Sequence, residues 1–278
     1  MKILSLLCVL ISTGFSSTAH AEKVKILTYN TWGVPVAVWD TWRYKKAMKT
    51  IEKMNPDIVL LTEVFTTKAK LAFRSKKYPY HADGGNWVPR LVGSGLRILS
   101  KFPIQKHAIL TYSNCKKDDC LSRKGANLII AKLPSGKSIN FVGTHLNAAG
   151  GEETRISQLK QLQIFSDWYE DKNNPTIIAG DFNFDPFSNE FEYARKNMHV
   201  SDAWAENHSS SEPGYTYDCY ENHYAHDYTI KTHGSLFKDR IDYFFLRGNV
   251  KSLETTIKMN DSETTLSDHY GIYGEFEI

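Results

Sequence analysis

Side chains that can bind a metal ion or accept a proton recur in this sequence where apolar segments stop. Carboxylate and carboxamide oxygens suit hard cations such as Mg²⁺, Mn²⁺ or Ca²⁺, and an imidazole can take a proton from water near neutral pH. Strand ends are where α/β folds place their sites. The residues concerned are Asn30, Glu63, His145, Asp181, Asn183, Asp242, Asp268 and His269.

Each of these residues alone has a purely structural explanation. A single Asn or Asp after a strand is usually a turn residue, and a single His is usually just hydrogen-bonded. Their recurrence at six strand ends favours a site instead. A zinc site is disfavoured because neither C-x-x-C nor H-E-x-x-H occurs, and His223 and His226 lie in a polar stretch typical of solvated histidines.

The elements that must position these residues are short apolar strands with few helices between them. A layered α/β protein is the architecture that this pattern favours. Helices are predicted at Tyr44–Met54 and Glu152–Tyr169, the second with one apolar stripe. The predicted strands are Val24–Tyr29, Asp57–Val64, Leu96–Ser100, Asn127–Leu133, Ser138–Gly143, Thr176–Gly180, Ile241–Leu246 and Ile272–Phe276.

Length and composition favour one exported domain. Residues 1–21 have the basic start, short apolar run and A-x-A ending of a secretory signal peptide, so we expect cleavage near Ala21. The expected mature protein is a secreted, monomeric catalytic domain over residues 22–278. The formal charge of +3 is weak beside the basic faces of nucleic-acid binders. It neither names nor excludes a polyanion as partner.

Three cysteines remain beyond the signal segment, and export permits a disulfide. Cys115 and Cys120 share one polar loop, which favours their pairing, but a bond from either to Cys219 stays open. Cys8 lies in the segment expected to be removed.

Six motifs in order resemble the DNase I-like superfamily of endonucleases, exonucleases and phosphatases. They are LTYNTWG, LLTEVF, GTHLN, GDFN, RIDYFF and LSDHYG, and they run from Leu27 to Gly271. The segments SGLRILSKFPI, RKG and TYDCYEN are similar to the bacterial and neutral sphingomyelinases. The resemblance implies a four-layer α/β sandwich, with two central mostly antiparallel or mixed β-sheets flanked by helices.

The same resemblance implies a role for each site residue. Glu63, Asn30 and Asp268 would form the metal site for Mg²⁺, with Mn²⁺ or another divalent cation as a substitute. His269 would be the general base, oriented by Asp242. Asp181 and Asn183 would position water and phosphate, with contact of Asp181 to a metal as an open alternative, and His145 would stabilise the transition state. The weaker matches Lys124, Arg97 and Tyr217 are left outside the catalytic set, Lys124 because an exposed lysine is usually solvated.

The expected reaction is hydrolysis of sphingomyelin to ceramide and phosphocholine at a membrane surface. Exposed aromatic residues would help docking, and candidates follow the first strand: Trp32, Val34, Val36, Val38, Trp39 and Trp42. The alternative is that most of them belong to the core, because tryptophan is usually largely buried. The segment from Tyr220 to Lys238 lacks the clear apolar tip of an aromatic hairpin.

Three alternatives keep the scaffold but change the function. A secreted nuclease predicts a basic groove, yet no strong basic cluster occurs. A phosphoinositide phosphatase fits the subfamily motifs less well. A non-catalytic binding module predicts loss of the costly polar residues, and all eight are present.

Overall fold

The computed structural model describes residues 21–34, 41–86 and 91–278. The expected signal segment and residues Val36, Val38 and Trp39 lie outside the described residues. The helices are α1 (Thr41–Met54), α2 (Thr67–Ala72), α3 (Gly151–Tyr169), α4 (Asn189–Asn197), α5 (Ala203–Asn207) and α6 (His223–His233). The strands are β1 (Lys23–Asn30), β2 (Ile58–Thr62), β3 (Tyr80–Asp83), β4 (Arg97–Ser100), β5 (Ile104–Thr111), β6 (Gly125–Lys132), β7 (Ser138–His145), β8 (Thr176–Asp181), β9 (Ser201–Asp202), β10 (Tyr217–Asp218), β11 (Lys238–Asp239), β12 (Asp242–Arg247), β13 (Lys251–Lys258) and β14 (Gly271–Glu277).

The strands of the described residues form two six-stranded mixed sheets and one short ribbon. The first sheet has the order β13-β14-β1-β2-β4-β3, and β1 runs parallel to β2. The second has the order β5-β6-β7-β8-β12-β9, and β7 runs parallel to β8. Because parallel strands end at the same edge, each sheet delivers two adjacent strand ends to one end of the molecule.

The central strands are buried on both faces because each sheet lies between the other sheet and a helix. Ile26 and Leu60 of the first sheet pack against Phe141 and Ile177 of the second. Residues one place along each strand point the other way. Leu27, Tyr29, Val59 and Leu61 pack under α1, and Leu128, Val142, Ile178 and Phe245 pack under α3. The result is the expected four-layer α/β sandwich.

The strands with continuous apolar runs were predictable, and the edge strands were not. All eight predicted strands are confirmed within two residues at each end. The missed strands β5 and β13 are edges whose side chains are mostly exposed or half-buried, so their sequences lack the apolar run. The polar segment after Tyr220 also holds a helix, α6, which begins at the cap residue Asn222. None of the described helices is long and apolar enough to cross a membrane.

Candidate active site

The strand ends bring seven of the eight predicted residues to one end of the sandwich, which we call the site end. Asn30 is the last residue of β1 and pairs with Thr62, the neighbour of Glu63. On the second sheet, His145 pairs with Asp181 across β7 and β8, and Asp181 pairs with Asp242 across β8 and β12. Asp268 and His269 lie just before β14, next to β1. The predicted residues therefore come from both sheets to one place.

The backbone at the site end is held in an unusual conformation. Trp32, Glu63 and Asn183 have φ angles of 48°, 59° and 55°, in the left-handed region that non-glycine residues seldom adopt. Gly33 passes so close to Glu63 that a Cβ at position 33 would lie 2.1 Å from the carbonyl oxygen of Glu63. Turning these residues out of the strand direction aims their side chains across the strand ends.

His269 has the surroundings of a general base held by a carboxylate. Its Nδ1 lies 2.9 Å from Oδ2 of Asp242, and its Nε2 lies 3.8 Å from Oδ2 of Asp181. The ring of Tyr217 meets it edge-on at 5.1 Å between centroids. Burial lowers the pKa of His269, but the carboxylates Asp242 and Asp181 outweigh burial and raise that pKa to about 10. All three residues are buried, so little water screens this pairing.

Asn30 bridges two of the site carboxylates. Its Nδ2 donates to Oε1 of Glu63 at 3.1 Å and to Oδ2 of Asp181 at 3.0 Å. Its Oδ1 accepts from the backbone N–H of Trp32 at 3.0 Å. One amide thus joins the end of the first sheet to the end of the second.

The site carboxyls are crowded and poorly solvated. Burial, followed by repulsion from Asp242, raises the pKa of Asp181 to about 7. Burial also raises the pKa of Asp268 to about 7, with Glu63 adding to the effect. For Glu63 itself, burial raises the pKa against the attraction of Lys124. The protein alone stabilises these negative charges incompletely.

This pocket fits a divalent cation. Oε2 of Glu63 and Oδ1 of Asp242 are buried without a hydrogen-bond partner, and unpartnered carboxylate oxygens are the ligands hard cations prefer. Among the described residues, ligand atoms of Asp181, Asp242 and His269 lie within 4.8 Å of one another. The hydrogen bonds of Asn30 connect Asp181 of that group to Glu63, and Asp268 directly precedes His269 in the chain. The assignment of ligands within the pocket stays a prediction.

Lys124 belongs to the site, and the expectation that it is solvated was wrong. Its side chain is 7% exposed, and Nζ lies 2.9 Å from Nε2 of His145 and 2.7 Å from Oδ1 of Asp119. Because an ammonium group only donates, Nε2 of His145 is the acceptor. Burial, followed by the charges of Lys124 and His269, lowers the pKa of His145 well below its ordinary value. His145 is therefore neutral, and its Nδ1 is buried without a partner.

The signal that could have placed Lys124 in the site is its position at the start of a buried strand. It directly precedes β6, and its partner Asp119 lies in the loop that the predicted Cys115–Cys120 disulfide closes. That disulfide is confirmed, and Cys219 is free and buried.

The other predicted residues divide between the site and the periphery. Asn183 lies at the site, where its backbone N–H donates to Asp181 at 3.0 Å and its amide donates to the carbonyl of Leu146 at 3.1 Å. Asp268 accepts from the hydroxyl of Ser267 at 3.2 Å. Arg97, one of the weaker matches, pairs instead with Asp83 on a neighbouring strand at 2.9 Å. His223 and His226 both lie on α6.

The docking candidates after β1 differ in exposure. Trp32 is half-buried, with its ring 5.5 Å from that of Tyr224 on α6, whereas Val34 and Trp42 are exposed.

With this fold and site established, the sequence profile of the Endonuclease/Exonuclease/phosphatase family matches residues 27–269. The chain belongs to this family. It is 28% identical over 201 residues to the inositol phosphosphingolipids phospholipase C of Schizosaccharomyces pombe, a match that covers 68% of this chain and 47% of the relative. It is 26% identical over 269 residues to the human sphingomyelin phosphodiesterase 2, covering 89% of this chain and 63% of that protein. The chain thus spans about half to two thirds of these relatives.

A solved structure agrees with the sandwich. The crystal structure of the beta toxin from Staphylococcus aureus superposes with a TM-score of 0.72 at 21% identity, covering 90% of this chain and 99% of that chain. At this identity the likeness concerns the fold.

Proposed function

We propose that this protein is a secreted, divalent-metal-dependent phosphodiesterase that hydrolyses sphingomyelin to ceramide and phosphocholine. The observation that carries the proposal is the meeting of two groups at the site end. One is the imidazole–carboxylate pair of His269 and Asp242 at 2.9 Å. The other is the pair of carboxylates of Glu63 and Asp181 beside it, bridged by the amide of Asn30. A base next to a cation site is what hydrolysis of a phosphodiester needs.

Each side chain has a separate role when water attacks the phosphorus atom. Nε2 of His269 takes a proton from water as the water oxygen forms a bond to phosphorus, and the bond from phosphorus to the lipid oxygen breaks. The lipid oxygen leaves and is protonated by solvent. Asp242 would hold the imidazole and stabilise its charged form, while Asp181, 3.8 Å from Nε2, would orient the water. The neutral His145 would support the developing charge.

Glu63, Asn30 and Asp268 would hold Mg²⁺ or Mn²⁺. Bound there, the ion would supply Lewis-acid stabilisation of the phosphoryl oxygens and a positive charge that lowers the pKa of His269 towards neutrality.

A lipid substrate is supported by the relatives' names and by the surface around the site. Both relatives are named for action on sphingolipids. Large exposed apolar side chains lie on the connections that leave or enter the sheets at the site end, which suits contact with a membrane surface. They are Val34, Leu91, Leu121, Phe187, Tyr220, Tyr228, Ile230 and Phe237. Several belong to α6 and its flanks, in the segment whose sequence lacks the apolar tip of an aromatic hairpin.

The test is phosphocholine release from sphingomyelin vesicles by the purified protein with Mg²⁺, with EDTA, and as His269→Ala. We expect release with Mg²⁺, none with EDTA, and a loss of about 10²–10⁴-fold in kcat for His269→Ala. His81→Ala, which removes an exposed histidine on β3, is the matched control and should keep wild-type turnover.

Two results would overturn the proposal. One is full activity of His269→Ala. The other is nicking of plasmid DNA, or release of phosphate from phosphoinositides, by a protein that leaves sphingomyelin intact.

A further inference from the structure

Arg43, near the start of α1, is a charged side chain buried beside the site. It is 1% exposed, although burial of an arginine is costly unless its donors are satisfied. Its guanidinium donates to two backbone carbonyl oxygens, Nη1 to that of Leu266 and Nη2 to that of Trp32, the latter at 3.2 Å. Its place in the fold therefore depends on two separate stretches of chain.

Those two stretches carry the candidate metal ligands and the base. Trp32 lies two residues after Asn30, in the segment that leaves β1. Leu266 lies two residues before Asp268 and three before His269. One planar guanidinium thus joins the segment of Asn30 to the segment of Asp268 and His269.

Aromatic rings enclose the guanidinium and extend the link to α6. Its central carbon lies 5.4 Å from the ring centroid of Trp32, 5.3 Å from that of Tyr44 and 5.5 Å from that of Tyr224. Asn222, the cap of the helix that carries Tyr224, donates to the carbonyl of Ser267 at 2.9 Å. Rings at this distance attract a cation and exclude water from it.

The chemistry of the site requires arginine in particular. A guanidinium offers several donors in a fixed plane and stacks on rings, so it can serve two carbonyls at once. Lysine has a single nitrogen on a flexible stem and holds two carbonyls at no fixed separation.

We propose that Arg43 is a positioning residue that sets the separation of Asn30 from Asp268 and His269, and so tunes the affinity of the pocket for its divalent cation. This inference rests on the proposed cation site but not on the identity of the substrate. Arg43 contacts the backbone next to the ligands, as outer groups around metal sites do, and loss of such groups typically weakens cation binding about 10–100-fold.

The experiment measures binding of Mg²⁺ or Mn²⁺ alone by calorimetry, together with kcat and KM, for Arg43→Lys. Arg247→Lys is the matched control, because Arg247 also donates to a backbone carbonyl, that of Met198, but lies at the opposite end of β12. We expect the cation Kd of Arg43→Lys to rise about tenfold or more with a fall in kcat, while KM for the lipid changes little. The Kd of Arg247→Lys should equal that of the wild type.

A wild-type Kd in folded Arg43→Lys, or an equal rise in Arg247→Lys, overturns the inference. If Arg43→Lys does not fold, the second variant is Tyr224→Leu, which removes one of the rings around the guanidinium. It should also raise the cation Kd, by a smaller factor. An unchanged Kd in Tyr224→Leu contradicts the inference. Cation binding by a wild type that releases no phosphocholine would reject the proposed function and leave this inference standing.

Discussion

The antiparallel strands β8 and β12 have opposite electrostatic character at their two ends. At the site end, Asp181 pairs with Asp242, so two buried carboxyls face one another. At the far end of the same strands, Thr176 pairs with Arg247. The same pair of strands therefore carries a cluster of like charges at the site end and oppositely charged partners at the far end.

The far end satisfies its charged groups. Glu170 accepts from Arg247 at 2.5 Å and from the hydroxyl of Thr176 at 2.9 Å, and Lys172 also donates to it. Burial alone would raise the pKa of Glu170, but the hydrogen bonds from Lys172 and Arg247 lower it below its ordinary value. At the site end the pKa of Asp181 rises instead, to about 7.

The far end stabilises the fold, whereas the charge pattern of the site end favours binding of a cation. Fully paired charges stabilise the folded state. Crowded carboxyls with unpartnered oxygens destabilise it, and a bound cation would reverse that destabilisation. Substitutions at the site end should therefore lower mainly activity. Substitutions at the far end should lower mainly stability.

The largest effect is expected for Asp242→Asn at the site end. An amide can hold the ring of His269 but cannot stabilise its positive charge, so kcat for phosphocholine release should fall about 10²–10⁴-fold. Urea unfolding should show at most a modest loss of stability, because the lost attraction between Asp242 and the buried imidazole of His269 is partly offset by relief of the repulsion between Asp242 and Asp181. Retained turnover, or a large loss of stability, would contradict the assignment of Asp242.

Glu170→Gln at the far end should keep turnover but lose about 1–3 kcal/mol of unfolding free energy at pH 7, since charged hydrogen bonds are weakened. Because the pKa of Glu170 is lowered in the folded state, its contribution is present above the ordinary value of 4.5 and is lost as pH falls through the folded-state value. The difference from wild type should therefore shrink below about pH 4.5.

The control for Glu170→Gln is Glu192→Gln, which removes one partner of an exposed pair with Lys196. It should leave unfolding unchanged, since exposed ion pairs contribute little. A difference between wild type and Glu170→Gln that is constant from pH 3 to pH 7 would show that the charge of Glu170 is not what stabilises the far end.

The smallest effect is expected for Asp181→Asn, measured by unfolding in EDTA. The pKa of Asp181 is raised in the folded state, so the wild type loses stability relative to the variant as pH rises towards about 7. At pH 8 the variant should be more stable by about 1 kcal/mol. The gain is limited because Asp181 also attracts His269. If the variant is less stable than the wild type at pH 8, the crowded carboxyls of the site end do not destabilise the folded state.

The parts of this structure that the sequence predicts are those where one segment carries its own signal. Continuous apolar runs such as Ile58–Thr62 identify the central strands. The polar residue that stops each run identifies the site, because adjacent parallel strands end together. Edge strands such as Ile104–Thr111 bury too little to show a pattern.

The parts that the sequence does not predict depend on partners distant along the chain. The position of Lys124 before a buried strand hints at burial, but its place in the site depends on contacts with Asp119 and His145. The link from Asn30 to Asp181 spans both sheets, so no local pattern encodes it. The guanidinium of Arg43 likewise donates to carbonyls from two other segments.

The most direct test of the difference between the two ends is urea unfolding in saturating Mg²⁺ and in EDTA, for wild type, Glu63→Gln and Glu170→Gln. A cation present at about 100 times its Kd should raise the unfolding free energy of wild type and of Glu170→Gln by about 2.7 kcal/mol. Glu63→Gln, which loses the unpartnered carboxylate oxygen, should gain far less. Equal stabilisation of Glu63→Gln, or none of the wild type, would contradict a cation site at the end of β2.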